Sequence, residues 1–300
     1  MYRGSAPRGK GRPRRQSLIR VTWMRIAVIG HVEHITLGRV PKVPGPGDIA
    51  HAKDVRTFPG GGGGIAFFQL ARSPGEVHLF TAVGNDEAGE QVRSRIEATT
   101  ARVDVAQRAA AHTRDLVLIT PDGERTIVVL GEPLHPEKRD PLPWDVLASC
   151  DAAYFTAQDP EVLRAARGAR LLVVTARRRP ALIASGVRAD VVVGSAADPL
   201  EASSLADYPV RPGALVMTEG AAGGRIEASE GTRRFAAPRS AAPRGGSYGA
   251  GDSFAGALTW YSALGYSIDE ACTRAAHHGA AVLGSVEPIE VQLPLAERIR

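Results

Sequence analysis

Cysteine is scarce in this 300-residue chain, which contains only Cys150 and Cys272. The two are far apart in sequence, and neither belongs to a pair with the spacing of a metal site. This pattern excludes a disulfide-stabilised scaffold and a cysteine-ligated zinc site. It favours a reducing, cytoplasmic setting in which both thiols are ordinary core residues.

Long apolar runs are also missing, because no segment approaches the roughly 20 residues that a helix needs to cross a bilayer. Nothing near the N-terminus has the charged, apolar and cleavage regions of a signal peptide. With 44% hydrophobic residues, the chain still has enough apolar material for a sizeable core. We therefore expect no membrane partner, and one large α/β domain or two small ones.

Acidic residues are absent from residues 1–23, which carry seven arginines and lysines. The whole chain has a net charge of +5, so the remainder has a net charge of −2. A nucleic-acid-binding arm is one interpretation of such a tail. The segment lacks interleaved aromatics and any helical period, which favours a disordered extension or translated upstream sequence before Met24. Nucleic acid is therefore not the expected partner.

One glycine-rich turn, Gly249-Ala250-Gly251-Asp252, runs directly into an amphipathic helix. Glycines let backbone N–H groups approach a ligand closely. A helix N-terminus adds free N–H donors and a partial positive charge. With the carboxylate of Asp252 beside it, this pocket suits transfer of a phosphoryl group to a hydroxyl group. The simpler alternative for Asp252 is a helix N-cap.

Apolar runs that alternate with helical segments predict a parallel sheet covered by helices on both faces. Between two further strands, residues 121–124 are a hairpin signal. The predicted strands are residues 25–30, 77–83, 116–120, 126–130, 152–155, 171–175, 190–193 and 214–217. The predicted helices are residues 65–72, about 86–98, 160–167, 179–185, 199–206, 252 to about 264, and 267–283.

Five consecutive glycines, Gly60 to Gly64, precede the predicted helix at residues 65–72. They lack the spacing of a dinucleotide fingerprint, and no Walker A lysine accompanies them. A flexible loop and a hinge close to a small ligand remain open, and the helix that follows favours the hinge. His31, Glu33 and His34 follow the first strand at the ligand-binding edge of an α/β sheet. We interpret them as substrate contacts rather than metal ligands.

The segment Gly249 to Phe254 resembles the C-terminal signature of the PfkB/ribokinase family of carbohydrate kinases. Gly60-Gly61 before a short helix resembles the N-terminal signature of that family. Three further segments fall in the order expected for the family: Gly84 to Gly89, Gly123 to Ile127, and Thr218 to Gly223. The resemblance extends from Met24 to about Pro288.

The resemblance implies a ribokinase-like, doubly wound α/β domain over residues 24–300, with a small β lid from about residues 31–57 and 112–130. It implies phosphorylation of a sugar or nucleoside hydroxyl, with ATP and Mg²⁺ as cofactors. Pairing of lid edges between two subunits is one option for assembly. A non-catalytic sugar- or nucleotide-sensing protein on the same fold is the alternative.

On the acceptor side, the resemblance implies that Asp252 is the catalytic base and contacts the acceptor. Gly249-Ala250-Gly251 would supply the anion hole. Gly60 and Gly61 would form the hinge beside the sugar, and Glu33 would replace the usual early aspartate.

On the nucleotide side, the resemblance implies that Thr218, Gly220 and Gly223 line the ATP site and that His278 lies near the adenine. Thr218 to Gly224 could equally be an ordinary hairpin turn. Asp198 occupies the last position of a segment that the family links indirectly to Mg²⁺.

Three positions depart from the family pattern. Ile65 replaces an asparagine that contacts substrate, and Ser195 replaces the asparagine that begins the Mg²⁺-linked segment. Gly246 replaces an aspartate that often precedes the anion hole, which argues against a monovalent-cation site. These departures motivate the non-catalytic alternative.

Overall fold

The structure is a computed structural model that describes residues 24–239 and 246–296. The predicted basic extension, residues 1–23, lies outside the described residues. The strands are β1 (Arg25–Ile29), β2 (Glu33–Arg39), β3 (Lys53–Gly60), β4 (Glu76–Gly84), β5 (Arg102–Arg108), β6 (Arg114–Ile119), β7 (Arg125–Leu130), β8 (Ala152–Phe155), β9 (Leu171–Thr175), β10 (Val191–Ser195), β11 (Ala214–Thr218), β12 (Gly224–Ala228) and β13 (Gly231–Phe235). The α-helices are α1 (Gly61–Leu70), α2 (Glu87–Glu97), α3 (Pro160–Ala166), α4 (Arg179–Ser185), α5 (Ala250–Ala263), α6 (Ile268–Ala281) and α7 (Pro288–Val291).

The large sheet has the strand order β13-β12-β11-β10-β9-β8-β1-β4-β5. All neighbours from β11 to β5 pair in parallel, and β12 and β13 add an antiparallel edge. One apolar cluster joins the sheet to α1, α5 and α6. A second joins the other face to α3 and α4. The predicted parallel sheet with helices on both faces is confirmed.

Most predicted elements match closely, and three need correction. Residues 199–206 were predicted as a helix, but the only regular turn there is a 3₁₀ turn at Leu205–Asp207. The preceding segment turns on Asp198, whose backbone oxygen accepts from the N–H groups of Glu201 and Ala202. Strands β5 and β13 were not predicted, because their polar residues leave no apolar run.

The third correction concerns the five glycines. Helix α1 begins at Gly61, so four of the glycines form its first turn and are not a loop before it. The reason is close packing on the end of β1. A Cβ on Gly63 would lie 2.4 Å from the backbone oxygen of His31, and one on Gly30 would lie 3.1 Å from Gly63 Cα.

A smaller sheet has the order β3-β2-β6-β7. Strands β6 and β7 form the predicted hairpin, and β2 and β6 pair in parallel. Alternate residues of β2 and β6 face the large domain, where they form an apolar cluster with Ile65 and Tyr248. Ile65 is therefore a buried packing residue that connects α1 to the small sheet.

In the part of the chain that the structure describes, every helix is too short or too polar to traverse a bilayer.

The packing of Gly63 generates a stability prediction. Alanine usually favours a helix interior by up to about 1 kcal/mol over glycine. At Gly63 the added methyl group meets the fixed backbone oxygen of His31, so we expect Gly63→Ala to lower the free energy of unfolding by about 1–3 kcal/mol. Denaturant unfolding measures this.

Gly251→Ala is the matched control, because it lies in the first turn of α5 and no atom lies within 4 Å of its added Cβ. We expect it to unfold at the same denaturant concentration as the wild type or higher. A Gly63→Ala protein as stable as Gly251→Ala would contradict the proposed close packing.

Candidate active site

Several polar side chains meet at the carboxyl edge of the large sheet, where parallel strands end. His31 follows β1, Thr156 follows β8, and Arg177 and Arg178 follow β9. The first turns of α1 and α5 face the same edge. This convergence brings together residues that are more than 200 positions apart in sequence.

Asp252 lies in the first turn of α5, after Gly249 in a left-handed conformation (φ 78°) at the N-cap position. Its side chain therefore does not cap the helix, and the N-cap alternative does not apply. A Cβ on Gly62 would lie 3.3 Å from Asp252 Oδ1 and 3.2 Å from Thr156 Oγ1. The missing side chain of Gly62 thus leaves a gap bordered by a carboxylate and a hydroxyl group.

Burial, and then the negative charge of Glu201, raises the pKa of Asp252 to about 6. The nearby Arg125 and Arg177 oppose this shift. A side chain that is only partly accessible to water loses hydration when it ionises, which favours the protonated form. Asp252 is therefore mostly ionised at pH 7 but is a stronger base than an ordinary aspartate, whose pKa is near 4.

The backbone beside Asp252 is the predicted anion hole. The first-turn amides of a helix have no partner within the helix. The N–H group of Ala250 is engaged by the backbone oxygen of Ser247 at 3.4 Å. Gly251 is exposed, and a Cβ there would meet no atom within 4 Å. The open space therefore lies at Gly251, with the Ala250 amide partly occupied.

Glu33, Gly60 and Gly61 adjoin this gap. The Gly61 N–H donates to Tyr248 Oη (3.1 Å), and a Cβ on Gly61 would lie 2.8 Å from Glu33 Oε2. A Cβ on Gly60 would lie 2.6 Å from Tyr248 Oη. Any side chain at Gly60 or Gly61 would thus displace the groups that surround the turn.

His31 is an uncharged side chain that packs between these groups. Burial, together with the nearby Arg178, lowers the pKa of His31 to about 3. Its Nε2 accepts from the Gly62 N–H at 3.3 Å, so it carries no proton to donate to Glu33 Oε1 at 3.7 Å. Its ring contacts His135 edge to face, with 5.0 Å between the centroids.

Of the predicted nucleotide residues, Thr218 ends β11 and donates to the backbone oxygen of Gly194 at 3.2 Å. Gly220 has φ 59° and open space around it. A Cβ on Gly223 would lie 2.0 Å from the Phe235 backbone oxygen. The packing of β12 against β13 therefore requires a glycine at position 223. Contact of Gly223 with a nucleotide stays a prediction.

His278 is buried between α5 and α6, apart from these glycines. Its Nε2 lies 3.1 Å from Tyr261 Oη. Burial lowers the pKa of His278 to about 4, so the ring is neutral. A place near adenine remains a prediction.

Asp198 and the unpredicted Glu201 lie together at the end of β10. Both carboxylates pair with Arg177, Glu201 at 3.1 Å. Glu201 Oε2 also accepts from the Ser195 N–H at 2.8 Å. The described residues contain no cluster of three groups able to hold a metal by themselves. This donor set fits Mg²⁺, which commonly keeps waters and binds one or two carboxylates plus substrate phosphates.

Sequence reasoning missed three residues near Asp252, namely Tyr248, Arg125 and Glu201. Tyr248 directly precedes the glycine turn, and Arg125 reaches Ser247 Oγ at 2.8 Å from the hairpin. Both lie in or beside segments quoted for the family resemblance, so proximity to those motifs was the available signal. No sequence signal pointed to Glu201, because residues 199–206 were predicted to form a helix.

Gly246 is also explained by packing. It has φ 86°, and a Cβ there would lie 2.8 Å from Ile119 Cδ1. An aspartate at this position would collide with the small sheet.

The chain belongs to the pfkB family: the model described as pfkB family carbohydrate kinase matches residues 24–186, more than half of the sequence. The family supports a carbohydrate kinase. The comparison with curated proteins found no match.

Solved structures of ribokinase-family proteins have the same fold. The Giardia lamblia ribokinase aligns with a TM-score of 0.73 and 15% identity, over 90% of this chain and 96% of that one. The Sinorhizobium meliloti adenosine kinase aligns with a TM-score of 0.71 and 18% identity, over 89% and 96%. The Escherichia coli phosphofructokinase-2 aligns with a TM-score of 0.67 and 15% identity, over 88% and 94%.

The electrostatics of Asp252 can be tested in the ligand-free protein. We expect Asp252 to titrate near pH 6. Because the negative charge of Glu201 disfavours ionisation of Asp252, Glu201→Gln should lower the pKa of Asp252. Carbon NMR of a protein labelled at the aspartate carboxyl groups measures both values, with Asp252→Asn identifying the signal.

Glu97→Gln, on the distant helix α2, is the control and should leave the titration unchanged. An unchanged or higher pKa of Asp252 in Glu201→Gln would contradict the assigned influence of Glu201.

Proposed function

We propose that the protein transfers the γ-phosphoryl group of ATP to a hydroxyl group of a sugar or nucleoside. The observation that carries this proposal is the position of Asp252. Its carboxylate borders the gap above Gly62, and the open backbone at Gly251 is in the same helix turn. The proposed base and the proposed anion pocket therefore lie side by side at the carboxyl edge of the large sheet.

In this proposal Asp252 orients the acceptor hydroxyl and takes its proton as the new P–O bond forms. The Gly249-Ala250-Gly251 amides hold the phosphoryl oxygens, with Gly251 as the most accessible. A phosphoryl-transfer transition state is loose, so early proton transfer is small and a carboxylate base suffices. A pKa near 6 makes that base stronger while leaving it ionised at pH 7.

Glu33, Gly60 and Gly61 are assigned to the acceptor side, because they adjoin the gap beside Asp252. Thr218, Gly220 and Gly223 are assigned to the nucleotide, and His278 to the adenine end. Thr218 and the open space at Gly220 support the nucleotide assignment, since Thr218 is the last residue of β11 and Gly220 follows it closely.

Mg²⁺ would be held by Asp198 or Glu201, directly or through water, together with the ATP phosphates. When bound, it neutralises charge on those phosphates. Arg177, which pairs with both carboxylates, keeps a positive charge at the same place. The small sheet is proposed to act as a lid that excludes water from the transferring group.

Asp252→Asn tests the base directly. It preserves size and removes the proton acceptor, so we expect turnover to fall by about 10²–10⁴-fold with an unchanged unfolding midpoint. ADP release over a panel of pentoses, hexoses, sugar phosphates and nucleosides measures turnover. The kcat/KM of the wild type should fall as the pH drops below about 6, because protonated Asp252 cannot accept a proton.

A variant that retains more than about a tenth of wild-type turnover would overturn the assignment of Asp252, since general-base catalysis contributes more than this. If the wild type bound panel members without releasing ADP, the non-catalytic sensing function would replace the kinase. That outcome is read by calorimetry on the same panel.

We also propose that two copies associate through the edge strand β7. All six of its residues are exposed, including Ile127, Val128, Val129 and Leu130 at 40–52%. An unpaired apolar edge strand is a template for pairing with another strand. A second copy presents the same edge, which gives a symmetric contact.

Val128→Lys places a charge on this edge, and we expect it to convert a dimer into a monomer with an unchanged fold. Light scattering coupled to size-exclusion chromatography measures the mass. Leu200→Lys, outside the small sheet and at a site even more exposed than Val128, should remain dimeric. A monomeric wild type would overturn the proposed association.

A further inference from the structure

Two acidic side chains are buried on the inner face of the small sheet. Glu33 begins β2 and Asp115 lies in β6, where it pairs with Ile35. Since side chains alternate along a strand, Glu33, Ile35 and Asp115 all point to the same face. Glu33 is 6% exposed and Asp115 is 4% exposed. Acidic residues are rarely buried this deeply unless they are paired.

No cation in contact compensates this pair. Neither carboxyl group makes an ion pair with an arginine or lysine of residues 24–239 and 246–296. His31 is neutral, and its Nε2 accepts a hydrogen bond from Gly62. Glu33 is two residues before Ile35, the partner of Asp115 in the neighbouring strand, so the two carboxyl groups are neighbours on one face. Asp115 Oδ1 has no hydrogen-bond partner among the described residues.

Two adjacent carboxyl groups without a cation cannot both ionise at neutral pH, so one proton is shared between them. Burial and then the neighbouring Asp115 raise the pKa of Glu33 to about 9. Burial also raises the pKa of Asp115. The raised pKa values of both groups favour a proton held on the pair at neutral pH, which supplies an O–H donor, and Asp115 Oδ1 is an acceptor without a partner among the described residues.

The pair adjoins the proposed acceptor site. Glu33 Oε2 lies against Gly61, and the next residue, Gly62, borders Asp252. Other titratable groups that face Glu33 are Asp252, Arg178, His31 and Tyr248. Arg178 is the weakest influence on the pKa of Glu33, and its Nε donates to the Thr156 backbone oxygen. Helix α1 contributes only glycines at this point.

We propose that Glu33 and Asp115 form a single proton-sharing site that recognises the hydroxyl groups of an uncharged polyol acceptor and disfavours acceptors carrying a phosphate or carboxylate. This rests on the proposed kinase function. Hydroxyl groups both donate to the free carboxylate oxygens and accept the shared proton. An anionic substituent would face the acidic groups of the pair and Asp252, while Arg178, the arginine that faces Glu33, already donates to the Thr156 backbone oxygen.

The first experiment needs no turnover. Infrared difference spectroscopy of the ligand-free protein at pH 7 should show the band of a protonated, buried carboxyl group. The band should disappear in Glu33→Gln, which removes the protonated group. It should shift in frequency in Asp115→Asn, which removes the neighbouring carboxylate but leaves Glu33 buried. It should persist in Glu124→Gln, an exposed residue of the turn between β6 and β7. A wild type without this band overturns the shared proton.

The second experiment compares acceptors that differ by a phosphate: ribose and ribose 5-phosphate, fructose and fructose 6-phosphate, adenosine and AMP. The wild type should prefer the uncharged member of each pair. Asp115→Asn should raise the KM of the best uncharged acceptor at least about tenfold, the cost of losing a hydrogen bond to a charged group, and leave kcat within about threefold.

The same variant should also shift the ratio of kcat/KM toward the phosphorylated member, because it lowers the negative charge of the site. A purely structural defect would not change this ratio. A wild type that prefers the phosphates, or an Asp115→Asn protein with unchanged KM and ratio, overturns the inference. If no acceptor is phosphorylated while the infrared band is present, the kinase function fails and the carboxyl pair stands.

Discussion

Everything at the site depends on one close approach, that of the glycine turn of α1 to the end of β1. A Cβ on Gly63 would reach 2.4 Å from the His31 backbone oxygen, and one on Gly61 would reach 2.8 Å from Glu33. Side chains at these positions would push α1 away from the sheet. The gap beside Asp252 exists because the glycines of this turn have no side chains. Conformational freedom of glycine matters less here than its small size, since only Gly61 of this turn has a positive φ.

The same compactness determines the electrostatics. Burial makes His31 neutral and raises the pKa of both Asp252 and Glu33. Arg177 is already paired with two carboxylates, those of Asp198 and Glu201 after β10. The nearby positive charge therefore only partly offsets the increase in the pKa of Asp252. The carboxylate is basic enough to accept a proton and is still mostly ionised near neutral pH.

The alternation of apolar runs and helical segments was sufficient to predict the large sheet, because buried parallel strands are continuous apolar stretches. It failed for β5, whose residues are half polar, and for residues 199–206, where Asp198 directs a turn. The glycine turn with Asp252 was recognisable from sequence because its chemistry is local. Glu201 and Asp115 were not recognisable from sequence. Their positions depend on strand pairing and on contacts with residues distant in sequence, and neither leaves a local pattern.

Ile65 and Gly246 replace polar residues of the family pattern. Their packing shows that these two replacements are only a weak argument against catalysis. Ile65 is fully buried in the cluster that connects α1 to the small sheet. Gly246 is pressed against Ile119 of that same sheet. Both substitutions thus exchange polar contacts for apolar packing under the lid, and neither removes an atom beside Asp252. Buried polar groups are present at a different place, in the carboxyl groups that β2 and β6 bring together. A chain that had lost its ligand would have no reason to keep two uncompensated acids buried at this position, because burying charge without a partner is costly.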